Sequence, residues 1–234
     1  MRAARKYDME AVQRHLADEL VKFAEQEPLR VFAVAFDLEL YEICRKAAKL
    51  SLRKAICQSE RVPLELGSLP SPVFYQLMRY RTRCTEAAQE VLTNLRWVLT
   101  QILGRKGNKI VTRLRHDYVQ VSYEWPALWI WFRCTSCLPH CDKLVPFSGA
   151  AEHTPRMWWK EYVDRVWYAL EGRPVGSVSG EMNIFEPSIR RAVTCTVCAP
   201  DAYKDLKEFS EQLASRIDKA VSMVGQPVNV YSSK

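Results

Sequence analysis

Apolar side chains recur every three or four residues over most of this chain, the repeat of an amphipathic helix. Val12, Leu16, Leu20 and Phe23 form one stripe, with Asp8 placed to cap a helix from Met9 onward. Glu27-Pro28 restarts the chain, since proline suits a first helical turn. Leu29, Phe32, Ala33 and Phe36 then give the next apolar face. A third helix is expected from about Leu40, with Ile43, Ala47 and Leu50 inside. Arg53 and Lys54 follow it, where cations complement a helix C-terminus. Pro63, Gly67, Pro70 and Pro72 make residues 57–72 a connection. Two further helices are expected after it, one beginning with Phe74, Leu77, Met78 and Arg81 and one carrying Ala87, Val91, Leu95, Val98 and Leu99. These segments predict a stack of helical hairpins.

The period changes after residue 103. Gly104 to Asn108 is a basic turn, and Val119, Val121, Tyr123 and Trp125 then alternate with Gln120, Ser122 and Glu124. Alternation of this kind reads as a strand. A lone strand is marginal, so Ile110 to Leu114 is the expected partner in a short β-hairpin near 110–125. Helical periodicity then returns. Thr154-Pro155 is a helix start, followed by a face of Trp159, Tyr162, Val163, Val166 and Leu170 that Gly172 and Pro174 end. Residues 172–190 read as a polar loop. A last helix is expected from Pro200, with Leu206, Phe209, Leu213, Ile217 and Val221 along one face. The fold class is therefore mainly α. Its divisions fall at 1–56 and 57–103 for the helical stack, 104–126 for an irregular insertion, and 127–234 for a cysteine-rich helical lobe.

Composition narrows the function. The chain has 234 residues, 48% hydrophobic, enough for one large domain or two small ones. Its eight glycines include no phosphate-cradling string. The longest apolar run, near Ala127 to Phe132, is too short to span a bilayer. Arg2, Arg5, Lys6 and Arg14 stand at the front with no apolar core behind them, so an intracellular chain, cytoplasmic or nuclear, is expected. The net charge of +7 is mostly interleaved with acids, as on a solvated helix face. Arg105, Lys106, Lys109, Arg113 and Arg115 cluster around His116, which motivates a nucleic-acid-binding alternative. Trp125, Trp129, Trp131, Trp158, Trp159 and Trp167 could stack bases, but at these spacings they read first as core.

Eight cysteines are present, and five of them fall late in the chain. Cys44, Cys57 and Cys84 sit in apolar or helical contexts and read as buried thiols. Cys134-x-x-Cys137 and Cys195-x-x-Cys198 are two knuckle-like pairs, each spaced to bring both thiolates to one tetrahedral ion. Structural zinc is the leading reading, with reduced thiols, redox pairs and disulfides as the others. His140 and Cys141 lie beside the first pair as alternate ligands. The gap between the pairs, about 57 residues, exceeds the ~15–20 of compact zinc ribbons. The helix between them must loop out and return, which closure entropy permits because it grows slowly with length. Four protein ligands leave no open position for catalysis. Cys141 with a histidine has no orienting group or oxyanion hole, so no enzyme is expected.

Several segments also resemble a known family. Residues Ala3 to Val12 (AARKYDMEAV), with Leu16 and Leu20, resemble the last helical pair of a BTB/POZ domain. Glu27 to Ala35 (EPLRVFAVA), with Glu42, Ala47 and Ala48, resembles the BACK-like helical extension that follows it. Trp129 to Cys137 (WIWFRCTSC), the Trp158-Trp159-x-x-Tyr162 helix and Cys195 to Ala199 (CTVCA) look like a group of fungal, basidiomycete-type BTB-domain proteins. The resemblance implies a scaffold or adaptor that binds protein partners, ubiquitin-ligase components among them. The family's dimer face and most of its cullin-contacting surface lie in earlier strands and helices that the match does not cover. Dimerisation and adaptor activity are thus family properties carried by a part this sequence does not match.

Overall fold

The computed structural model describes residues 10–55, 62–93, 97, 109–113, 119–123, 129–139 and 154–225. It is mainly helical. The helices are α1 (Glu10–Gln26), α2 (Pro28–Asp37), α3 (Tyr41–Ser51), α4 (Ser71–Thr93), α5 (Ile130–Arg133), α6 (Met157–Gly172), α7 (Met182–Ala192) and α8 (Ala202–Ser222). Short 3-10 turns span Leu64–Ser68 and Gly176–Gly180. Strands β1 (Lys109–Arg113) and β2 (Val119–Tyr123) pair antiparallel, with Val111 opposite Val121. No described helix is long and apolar enough to cross a membrane.

The chain divides into two compact units. The first takes in Met1–Gln89, Ala169–Gly176 and Ile217–Lys234, the second Glu90–Tyr168 and Ser177–Arg216. In the first unit, α2 starts on Pro28 and buries Val31, Phe32, Ala33 and Ala35. It ends in a Schellman turn. Leu40 N–H donates to the Ala35 carbonyl at 2.8 Å and Glu39 N–H to that of Phe36 at 2.9 Å, with Glu39 at a φ of 57°. Arg81 on α4 gathers several carbonyls. Its guanidinium donates to those of Ser51, Lys54 (2.9 Å) and Gly172 (3.0 Å). A cation there meets the negative ends of α3 and α6. Gly172 is closely approached, since a Cβ on it would lie 3.4 Å from that of Ala55.

Several expected positions move. On α1, Ala24 is buried and Phe23 is 57% exposed, because the line through Leu16 and Leu20 at four-residue steps reaches position 24. Residues 71–93 form one helix rather than the start of two. Its buried line is Val73, Leu77, Tyr80, Cys84, Ala88 and Leu92, while Phe74 faces outward. Leu95, Val98 and Leu99 lie outside the described residues. The expected polar loop at 172–190 is a 3-10 turn followed by α7, which contains Pro187. An interior proline forfeits a hydrogen bond and costs about 3 kcal/mol. Burying Ile184 and Phe185, at about 1.5–3 kcal/mol each, outweighs that cost. Helices α6 and α8 begin two residues later than the proline signals suggested.

The second unit has an aromatic core. Trp131 is stacked between Trp129 (centroids 4.9 Å, 9°) and Trp159 (5.4 Å, 14°), and Phe209 meets it edge-on at 5.4 Å. Trp129, Trp131, Trp158 and Trp159 are all fully buried. They are core and present no face on which bases could stack. Trp167 is half-buried, and Trp125 lies outside the described residues. Arg165 ties α6 to α7 by donating to the Ile184 carbonyl at 3.0 Å. Tyr162 donates to the Ser179 carbonyl at 2.8 Å, and the Ser179 hydroxyl donates to the Ser210 carbonyl at 2.9 Å.

Candidate metal centre

Two short backbone segments in the second unit present the cysteines. The first begins at α5, whose opening Ile130 N–H donates to the buried Asp205 carboxylate on α8 at 2.8 Å. Cys134 leaves the end of α5, and Cys137 follows after a bend. The start of α6 braces this segment. Arg156 N–H donates to the Trp131 carbonyl at 3.1 Å, Met157 N–H to that of Leu138 at 3.1 Å, and the Arg156 guanidinium to that of Cys137 at 3.1 Å. The second segment is the turn between α7 and α8. Cys198 N–H donates to the Cys195 carbonyl at 3.1 Å, and the Cys198 carbonyl accepts from Ala202 at 2.9 Å. Arg133 and Asp201, each beside a knuckle, form an ion pair at 2.8 Å across the two segments.

The sulfur atoms of Cys134, Cys137, Cys195 and Cys198 all lie within 4.8 Å of one another. Cys134 Sγ is 3.8 Å from Cys195 Sγ, and Cys137 Sγ is 3.7 Å from Cys198 Sγ. A tetrahedron with zinc–sulfur bonds of about 2.3 Å has sulfur–sulfur edges of about 3.8 Å. The four free thiols are thus arranged as a metal ion such as zinc requires. Cys137 N–H points at Cys134 Sγ, 3.4 Å away, a donor that stabilises charge on a ligating sulfur.

The electrostatics are uneven. Burial pushes the Cys137 thiol up to about 11 and raises that of Cys198 further. The Cys198 backbone N–H draws Cys195 down to about 7. Metal binding requires thiolates, so a divalent cation here displaces protons that burial otherwise holds in place. Zinc with four thiolates carries a net charge of about −2. Arg156, the cation bonded to the Cys137 carbonyl, has a buried Nε with no hydrogen-bond partner among the described residues. It is placed to balance that charge.

All four cysteines singled out from their spacing come together. The alternates His140 and Cys141 lie outside the described residues, as do His116, His153, Cys57, Arg105, Lys106 and Arg115 and the side chains of Lys109 and Arg113. His15 is exposed on α1 and belongs to no cluster that could hold a metal among the described residues. Asp205 and Arg156 were not anticipated. Asp205 could have been noticed as an acid on the otherwise apolar face of α8.

The class defined by fold and site is a mainly helical protein with a four-cysteine cluster able to hold a metal ion. No family model matches the chain, and no curated protein or solved structure matches it either.

Proposed function

We infer that the chain is a non-catalytic protein-interaction module in which a structural zinc ion, held by Cys134, Cys137, Cys195 and Cys198, clasps the second unit. The observation behind the metal is the near-tetrahedral set of sulfur separations. The role follows from the donor set. Four protein thiolates close the coordination sphere and leave no position for a substrate or water. Zinc bound this way contributes folding free energy directly.

The interaction reading draws on the resemblance to BTB-domain proteins with BACK-like extensions, which act by recruiting proteins. An open groove of about 300 Å³ beside α7 and α8 adds to it. Exposed Met182 and Tyr203 line this groove together with Phe185 and Ile189. It suits an apolar side chain of a partner protein.

Elemental analysis of refolded, tag-free protein tests the metal, with about one zinc per chain expected. Protein without zinc defeats that reading. For the interaction, a partner should be recovered by the zinc-loaded chain, bind again once purified, and be lost with Cys134→Ser. Binding to DNA or RNA that weakens steeply with salt, and vanishes when Arg105, Lys106 and Lys109 are neutralised, replaces it with nucleic-acid binding.

A further inference from the structure

The four cysteines are not equivalent. Cys134 and Cys198 are 0% exposed, whereas Cys137 and Cys195 are partly exposed. Those two also line an open cavity of about 420 Å³. Its other walls include the hydroxyl-bearing Ser136, Thr194 and Thr196 and the cationic Arg191. The cavity therefore leads small polar solutes to one edge of the cluster, while the opposite edge is sealed inside the protein. Cys137 and Cys195 come from different knuckles, with sulfurs within 4.8 Å of each other.

We propose that this edge is an oxidation site, at which hydrogen peroxide joins Cys137 to Cys195 as a disulfide and so unlocks the metal clasp. The inference rests on the metal reading above and adds its regulation. The sulfur of one exposed thiolate attacks a peroxide oxygen, and the oxygen–oxygen bond breaks. The departing hydroxide takes a proton and leaves as water, and the sulfur, oxidised by two electrons, becomes a sulfenic acid. The second exposed thiolate attacks that sulfur. The sulfur–sulfur bond forms, the sulfur–oxygen bond breaks, and a second hydroxide leaves as water with another proton. One peroxide is reduced to two waters, two thiolates become one disulfide, and zinc, left with only two thiolates, is released.

The cross-knuckle pairing separates this route from indiscriminate oxidation. Bridges within Cys134–Cys137 or Cys195–Cys198 would each need a sealed sulfur.

The test uses the zinc-loaded full chain. Zinc content is measured first, because a chain without zinc overturns the metal reading itself. Hydrogen peroxide is then added in steps while released zinc is followed with a colorimetric chelator. Remaining thiols are alkylated under denaturing conditions, and the bridges are mapped by non-reducing peptide mass spectrometry. The expected result is one zinc released and two thiols lost per bridge, with Cys137 linked to Cys195 and with Cys134 and Cys198 alkylated. Dithiothreitol with added zinc should restore the starting state. Zinc retained under excess peroxide, or first bridges that include Cys134 or Cys198, overturns the proposal while leaving the metal reading intact.

Discussion

Glu39 is held in the left-handed region at the C-terminus of α2, with a φ of 57°. A side chain there meets a steric cost that glycine avoids, and the two backbone hydrogen bonds of the turn keep it in place. Relief of about 1–2 kcal/mol of left-handed strain, less about 0.4–1 kcal/mol of added unfolded-chain entropy, means that Glu39→Gly should raise stability by roughly 1 kcal/mol or less, measured by denaturant unfolding. An unchanged or lower midpoint would mean that the glutamate side chain contributes more than the strain removes. Other residues accept a cost because packing outweighs it. The indole N–H groups of Trp131, Trp158 and Trp159 are buried without a hydrogen-bond partner among the described residues. Each forgoes about 1–3 kcal/mol, set against the large apolar area of a stacked aromatic core.

Among the described elements, α5 is the smallest and the most consequential. Four residues cannot sustain a helix alone, since nucleation is costly. It is held by the Asp205 carboxylate on its first N–H and by the backbone N–H of Arg156, the residue just before α6, on the Trp131 carbonyl. Cys134 comes directly off its end, so the placement of one cysteine of the cluster depends on a carboxylate 75 residues from Ile130 in the chain. Asp205→Ala leaves a buried N–H unmet and should cost about 1–3 kcal/mol. It should also weaken metal retention in competition with a chelator. Loss of stability with unchanged metal affinity would show that α5 does not position the knuckle. Helix α7 carries a related lesson. Its Pro187 and the glycines and serines just before it, at 172–180, are loop signals, and only the buried face formed by Ile184, Phe185, Ser188 and Ala192 reveals a helix.

At the scale of the whole molecule, buried acids make stability depend on alkaline pH. Burial pushes the Cys44 thiol up from 9.0 to about 12 and raises Cys84, Tyr80 and Tyr162. Cys44 is fully buried, and its Sγ donates to the Phe32 carbonyl at 3.7 Å. The folded pKa lies above the unfolded one, so the folded chain keeps a proton that the unfolded chain has already lost. The contribution is fully present below about pH 9 and is lost as pH rises through about 12, at about 1.4 kcal/mol for each pH unit between the unfolded and folded values. Guanidinium midpoints should thus fall between pH 8 and pH 10.5, and Cys44→Ala should flatten that fall. A slope identical in the variant would remove Cys44 as a source.

Much of this protein is readable from local order. Helical periodicity depends only on neighbours three or four residues apart, so the existence of α2, α3, α6 and α8 follows from the chain itself, as do the buried faces of α6 and α8 and the alternation in β2. The faces of α2 and α3 are rotated, burying Val31 and Ala35 rather than Leu29 and Phe36, and Ala48 and Ser51 rather than Leu50. The two Cys-x-x-Cys pairs are equally local, because each spacing is a property of one short turn. Long-range placement is not local. Tertiary packing alone closes the gap of about 57 residues between the pairs and sets Cys134 against Cys195 and Cys137 against Cys198. It also brings Asp205 and Arg156 to the first knuckle, and it seals one edge of the cluster while opening the other. Spacing shows that four thiols can share an ion. Which two of them meet solvent depends on what the rest of the chain packs against them.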